Sequence, residues 1–191
     1  MNVTREEAAQ ALSDINRASD RIVQLKGYHH GAPFFIVWGL VWLIANTASQ
    51  FMPDQRNLIW GPAVLAGMVI SAVIGVMQSR RMAAGSANTI NASIGRRIGL
   101  TSGIMLVFIF VVTWIANPES SRDVNTIISI FFPFIYMAAG VWAGWRLFAI
   151  GFVTAAAILA GYLWVQDYFD LWMGVFAGGS LIAGGIWLRT A

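Results

Sequence analysis

The residues of this 191-residue sequence that are most able to do chemistry together form a polar and small stripe. Its successive spacings of 4, 4, 3, 4 and 4 place all members on one face of a helix. On an earlier apolar segment, Asn46 and Gln50 are also four apart and could face this stripe. Such a face suits the wall of a small polar cavity or pore, and it equally suits hydrogen bonds between packed helices. The stripe consists of Asn125, Ser129, Pro133, Tyr136, Gly140 and Gly144.

The other reactive groups form no catalytic or metal-binding pattern. The adjacent His29 and His30 do not share a helical face, so they cannot easily chelate one metal ion. The sequence has no cysteine and contains neither H-E-x-x-H nor G-x-S-x-G. A lipid-modifying enzyme would have to use these histidines or acids such as Asp167 and Asp170. We therefore expect no metal, no cofactor and no enzyme activity.

Two arginine pairs, Arg80 with Arg81 and Arg96 with Arg97, bracket a small polar stretch near the middle of the chain. Guanidinium groups at a membrane surface attract anionic lipid headgroups, although membrane topology alone also explains such residues. Outside the apolar segments the sequence has no basic face with interleaved aromatic residues. We therefore expect membrane lipids, and no nucleic acid, among the partners.

The elements that must position these residues follow from composition. Hydrophobic residues make up 58% of the chain and charged residues 11%, whereas a soluble domain carries about 25% charged residues. The apolar residues fall in six runs, each long enough to cross roughly 30 Å of hydrocarbon as a helix. The sequence thus predicts an all-α, polytopic integral membrane protein in which residues 28–191 form a six-helix bundle. The predicted spans are approximately 34–51, 58–77, 98–116, 124–144, 147–165 and 171–188.

Membrane orientation follows from the basic residues. With the N-terminus inside, ten of the twelve fall on the inner side, and only Arg56 and Arg122 fall outside. This asymmetry predicts that both termini are cytoplasmic. The bias to arginine, with Lys26 as the only lysine, favours a bacterial cytoplasmic membrane.

Residues 1–27 predict a separate cytoplasmic amphipathic helix. Thr4 and Glu7 form a capping box at its start, and Lys26 followed by Gly27 is a stop signal. Its four bases balance its four acids, which favours packing on protein over a lipid anchor. Partner, second copy and the chain's own surface remain open as occupants of its stripe. That stripe has 3-4 spacing and comprises Ala8, Ala11, Ile15, Ala18, Ile22 and Leu25, the last four forming the main docking surface.

The absence of charged residues inside the predicted spans limits the possible functions. Proton- and ion-driven carriers usually place ionisable groups near the membrane midplane. We therefore expect a non-enzymatic interaction protein, either an accessory or regulatory subunit or a self-associating scaffold. The alternative is a small channel or uniporter for a neutral or hydrophobic solute, lined by the polar stripe. Small residues four apart, such as Gly174 and Gly178, predict close helix packing.

Overall fold

The computed structural model describes the backbone of residues 5–83 and 88–190, and side chains within 10–19, 21–22, 24–81, 100–101 and 103–190. The described chain is helical throughout, apart from short connections, and has no strand. A single 3-10 turn, Pro53–Gln55, follows the first helix. Six long helices succeed one another: α1 Arg5–Phe51, α2 Arg56–Ala83, α3 Asn88–Ala116, α4 Ser121–Ala143, α5 Trp145–Trp164 and α6 Phe169–Arg189.

The all-helical prediction is confirmed, and the helices are apolar enough for a membrane. Within the described residues, five helices have the length and composition of a membrane span, against the six predicted. They are Gln10–Phe51, Pro53–Arg81, Ser121–Ala143, Trp145–Trp164 and Phe169–Arg189. In α3 the described apolar part is Gly103–Ala116, which is shorter than a span. The predicted span 98–116 lies partly outside the described side chains.

The first helix does not stop at Gly27, contrary to the predicted stop signal. It continues through Gly27 and Pro33 to Phe51, and its 47 residues measure about 70 Å at 1.5 Å per residue. A glycine inside a helix costs only about 1 kcal/mol relative to alanine. Burial of Tyr28 and Ala32 directly after it outweighs that cost. Thr4 and the side chain of Glu7, which would make the capping box, lie outside the described residues.

The centre of the bundle is the contact between α1 and α6. A Cβ built on Gly39 would lie 2.7 Å from the carbonyl oxygen of Gly178. A Cβ on Gly178 would in turn lie 2.9 Å from the carbonyl oxygen of Gly39. The two backbones can therefore touch only because both residues are glycines, as the small-residue spacing predicts. Between Met173 and Gly178 the backbone of α6 adopts a π-helix.

The fourth and fifth helices form a hairpin whose turn is the single residue Gly144. Its φ of +117° lies in the region that favours glycine, so no other residue would adopt it without strain. A Cβ at Gly144 would also collide with the side chains of Gln24 and Tyr28. The part of α1 just before its membrane half therefore rests on the α4–α5 turn.

The second and third helices are peripheral. Less than a tenth of the α2 span is buried, whereas nearly half of the α6 span is. The described large apolar side chains of both helices are mostly exposed, for example Val73 and Phe110. Such surfaces suit contact with lipid chains.

We call the end of the bundle formed by residues 52–55, 117–120 and 165–168 the distal end. The opposite end, from which α1 projects, is the proximal end.

Candidate functional site

Asn46, Asn125 and Ser129, which the sequence analysis placed on facing helices, meet in one buried polar cluster. Asn125 Nδ2 donates to Asn46 Oδ1 at 2.7 Å, and Ser129 Oγ donates to Asn125 Oδ1 at 3.0 Å. Asn46 Nδ2 donates to the carbonyl oxygen of Trp42 at 3.0 Å. Asn46 is fully buried, and Asn125 and Ser129 are nearly so. At this point the stripe makes the interhelical hydrogen bonds of a packed interface.

A buried carboxylate completes the cluster at its distal side. Asp170, in the first turn of α6, accepts from Asn125 Nδ2 at 3.1 Å. It also accepts two bonds from the guanidinium of Arg56, at 3.3 Å and 2.5 Å. Since only 9% of its side chain is exposed, this pairing removes most of the cost of burying its charge. This pair was not predicted from the sequence, although the two residues carry opposite charges.

Gln50 does not join the α4 stripe, which corrects the prediction. Its Nε2 donates to the carbonyl oxygen of Asp167 at 2.9 Å, and its Oε1 accepts from Leu171 N at 3.3 Å. Leu171 N is a first-turn amide with no partner inside the helix. Gln50 thus fixes the start of α6 against the end of α1.

The remaining stripe residues pack towards the proximal half and line neither of the two distal cavities described below. Pro133 and Gly140 are buried. A Cβ at Gly140 would collide with the backbone of Phe148 in α5. The Tyr136 ring packs on Phe35, with centroids 4.7 Å apart. These residues therefore position helices.

A cavity of about 270 Å³, which we call the distal cavity, opens on the distal side of the cluster. Gln50, Arg56 and Asp170 contribute to its wall, so it shares two charged residues with the cluster. Ser49 also lines it, and the Ser49 Oγ is buried without a hydrogen-bond partner. The other lining residues are Pro53, Arg122, Gln166, Asp167 and Phe169.

A second distal cavity, of about 360 Å³, lies beside the start of α4 and is lined by Glu119, Asp123 and Tyr162 among others. The Asp123 carboxylate accepts from Ser120 Oγ at 2.6 Å and from Tyr162 Oη at 3.1 Å. Ser120 Oγ in turn caps α4 by accepting from Asp123 N at 3.1 Å. These bonds commit Asp123 to holding the helix start.

The docking stripe at the proximal end is uncovered. Ile15 is 64% exposed, Ile22 52% and Leu25 36%, and Ala18 is exposed as well. None of these four residues is therefore covered by the part of the chain that the structure describes. The side chains of residues 1–9, which include Ala8 of the stripe, lie outside the described residues.

The stripe continues, in the same heptad register, into the face of α1 that packs on α6. The heptad positions that follow Leu25, spaced alternately by four and three residues, lie where the backbone of α1 contacts the glycines of α6. A Cβ at Gly185 would lie 2.9 Å from the carbonyl oxygen of Ala32, and one at Gly174 would lie 3.0 Å from that of Leu43. One face of α1 thus binds a helix along its membrane half and exposes apolar side chains beyond it. The continuing positions are His29, Ala32, Ile36, Gly39, Leu43 and Asn46.

The four candidate lipid-binding arginines are not seen together. Arg80 and Arg81 are exposed in the last turn of α2. The side chains of Arg96 and Arg97 lie outside the described residues. Across the part of the chain that the structure describes, no three His, Asp or Glu side chains are placed to hold a metal ion.

The two surfaces that stand out are therefore the distal cavity, with its buried ion pair, and the exposed stripe of α1. Compared with known proteins, the chain matches no family model, no curated protein sequence and no solved structure.

Proposed function

We propose that this chain is a non-enzymatic interaction protein of the bacterial cytoplasmic membrane, acting as an accessory or regulatory subunit. The docking stripe of α1, namely Ile15, Ala18, Ile22 and Leu25, is its partner-binding surface. One observation carries the proposal: these apolar side chains are exposed on a helix that extends well beyond the bundle.

Leaving the apolar side chains of the stripe in water costs free energy. Burying an isoleucine or leucine side chain stabilises a complex by about 1.5–3 kcal/mol relative to leaving it exposed. Ile15, Ile22 and Leu25 together therefore favour a bound helix strongly. Lipid is a poorer occupant, because the segment is charge-balanced and lacks the basic excess of a membrane-surface helix.

The heptad pattern distinguishes a partner from a second copy. With Ile15 and Ile22 at a positions, Arg21 occupies a g position and Lys26 the following e position. Two copies in one membrane leave it in the same direction, so they could pair only in parallel. A parallel pair places Arg21 beside Lys26 of the other copy, and these like charges repel. A partner helix with acidic residues at those positions fits better, which favours the accessory subunit over the self-associating scaffold.

The proposed topology has six spans with both termini in the cytoplasm. It counts α3 as a span in addition to the five candidate spans. Its 29 residues measure about 43 Å, which exceeds the hydrocarbon thickness. The excess of basic residues in the predicted inner segments supports the orientation.

The test is affinity purification of the tagged chain from native membranes in mild detergent, with mass spectrometry. Wild type should retain a stoichiometric partner that the double variant Ile15→Asp/Ile22→Asp loses. The matched control Gln10→Asp/Asn16→Asp adds the same charge at exposed positions off the stripe and should retain it. Equal retention by both variants would reject the stripe as the binding surface.

A second candidate is the small channel or uniporter for a neutral or hydrophobic solute. One observation favours it: Asp170 both lines the distal cavity and contacts the buried Asn125. A polar path thus begins at the distal end. Solute flux into vesicles reconstituted with the purified chain, compared with protein-free vesicles, tests this candidate, and equal flux in the two would reject it.

A further inference from the structure

The charges of the distal cavity are only partly paired. Arg56 and Asp170 neutralise each other within its wall. Arg122 and Asp167 also line it. Among the residues that the structure describes, neither of these two takes part in an ion pair. The cavity therefore presents one uncommitted guanidinium and one uncommitted carboxylate.

Neighbouring contacts hold the guanidinium of Arg122 and the backbone of Asp167. The Arg122 guanidinium lies over the Tyr162 ring, 4.9 Å from its centroid. The Asp167 carbonyl oxygen accepts from Gln50 Nε2, which ties this residue to the end of α1. A prepositioned guanidinium binds the oxygens of a carboxylate or phosphate with two parallel hydrogen bonds. A carboxylate is the corresponding acceptor for an ammonium group.

Cavity size limits the occupant. About 270 Å³ lies just below the range of roughly 300–1,000 Å³ that is usual for drug-sized ligands. A small molecule fits, and since the cavity's charges sum to zero, a net-neutral molecule enters without an uncompensated charge.

The geometry points to the distal cavity as a binding site for a small zwitterion that carries an anionic oxygen acid and a primary ammonium group. Arg122 binds the acid, and Asp167 binds the ammonium. Two sources share this chemistry, a free amino acid and the headgroup of an ethanolamine phospholipid. The site is independent of the partner-docking function proposed above.

The experiment is calorimetric titration of the detergent-solubilised full chain. The probes are the proteinogenic L-amino acids and glycerophosphoethanolamine, whose phosphodiester carries a single negative charge, with the singly charged propionate and ethylamine as analogues. A zwitterion should bind, and the analogues should bind at least about 10-fold more weakly, because each lacks one charge-assisted contact. Preference for glycerophosphoethanolamine assigns the site to a lipid headgroup, and preference for an amino acid assigns it to a solute. Binding of no zwitterion, or equal binding of the analogues, overturns the proposal.

Variants locate the site. Arg122→Gln and Asp167→Asn should each weaken binding of the zwitterion by about 10- to 100-fold. Arg146→Gln is the matched control, since Arg146 lies over the Trp187 ring at the opposite end of the bundle. It should change affinity by no more than about twofold. Because the Asp167 side chain is exposed, Asp167→Asn should fold normally, and unchanged binding by this variant would overturn the assignment.

Discussion

Asp170 and Arg56 form an ion pair that joins the start of α6 to the start of α2, although 114 residues separate them. The Asp170 carboxylate also accepts from Asn125, so a single buried group connects three helices. Asn125 extends the connection to Asn46 on α1. The distal end of the bundle is thus fixed by polar contacts, whereas the middle is fixed by close backbone packing.

The contributions of Arg56 and Asp170 to the free energy of unfolding should therefore be coupled. Arg56→Gln leaves Asp170 buried with fewer donors and should lower the free energy of unfolding by about 2 kcal/mol, since the pair is only partly shielded from solvent. In the double variant Arg56→Gln/Asp170→Asn no charge is left uncompensated, so the loss should be smaller than the sum of the two single losses. Thermal unfolding of the four proteins in one detergent measures this coupling. Additive losses would show that the two residues act independently.

Much of the helical architecture could be predicted from the sequence, because the hydrophobic effect leaves a strong signal in membrane spans. Four of the six predicted segments lie within helices, and the other two, 124–144 and 147–165, each end one residue beyond their helix. The segment 34–51 ends at the same residue as α1. The register of the polar stripe also brought Asn125 and Ser129 to one face. These features depend on local spacing, which sequence records directly.

The rest depended on contacts that sequence does not record. Gly27 resembled a helix stop, but burial of the following residues keeps α1 continuous. The pairing of Arg56 with Asp170 requires knowledge of which helix ends are neighbours. The π-helix Met173–Gly178 also had no signal, because its different hydrogen-bond pattern requires no particular residue type.

Because α1 and α6 approach closely, we predict that replacing two adjacent glycines of α6 by alanine changes the stability of the bundle in opposite directions. A Cβ at Gly178 would meet the backbone of Gly39 and Leu43 at 2.9 Å, so Gly178→Ala should destabilise the bundle by about 1–3 kcal/mol. A Cβ at Gly179 meets nothing within 4 Å. Gly179→Ala should therefore stabilise the helix by about 0.5–1 kcal/mol. Thermal unfolding in detergent measures the stability of both variants. A shift of the melting temperature with the same sign and size in both would contradict this packing.

The continuity of α1 predicts a fixed distance along the helix. The natural sequence has no cysteine, so Ala18→Cys/Leu40→Cys provides two unique sites for spin labels at exposed positions. A straight helix separates their Cα atoms by about 33 Å. Pulsed electron paramagnetic resonance should give a narrow distribution of label-to-label distances near this value. A broad distribution at shorter distances would mean that the helix bends at Gly27 or Pro33 and that the stripe is not held in line with the bundle.

The six-span topology predicts which sides of the membrane single cysteines reach. Cysteines replacing Asp54, Glu119 and Gln166 at the distal end should react with a membrane-impermeant maleimide in intact spheroplasts, because the proposed orientation places this end outside. A cysteine replacing Ser79, near the end of α2, should react only after lysis. The decisive site is Glu119, since it lies outside only if α3 crosses the membrane between residues 79 and 119. Labelling of Asp54 alone, with Glu119 and Gln166 reacting only after lysis, would show that α3 does not cross, because α4 and α5 would then cross in the opposite directions. It would reduce the number of spans to the five that the described residues support.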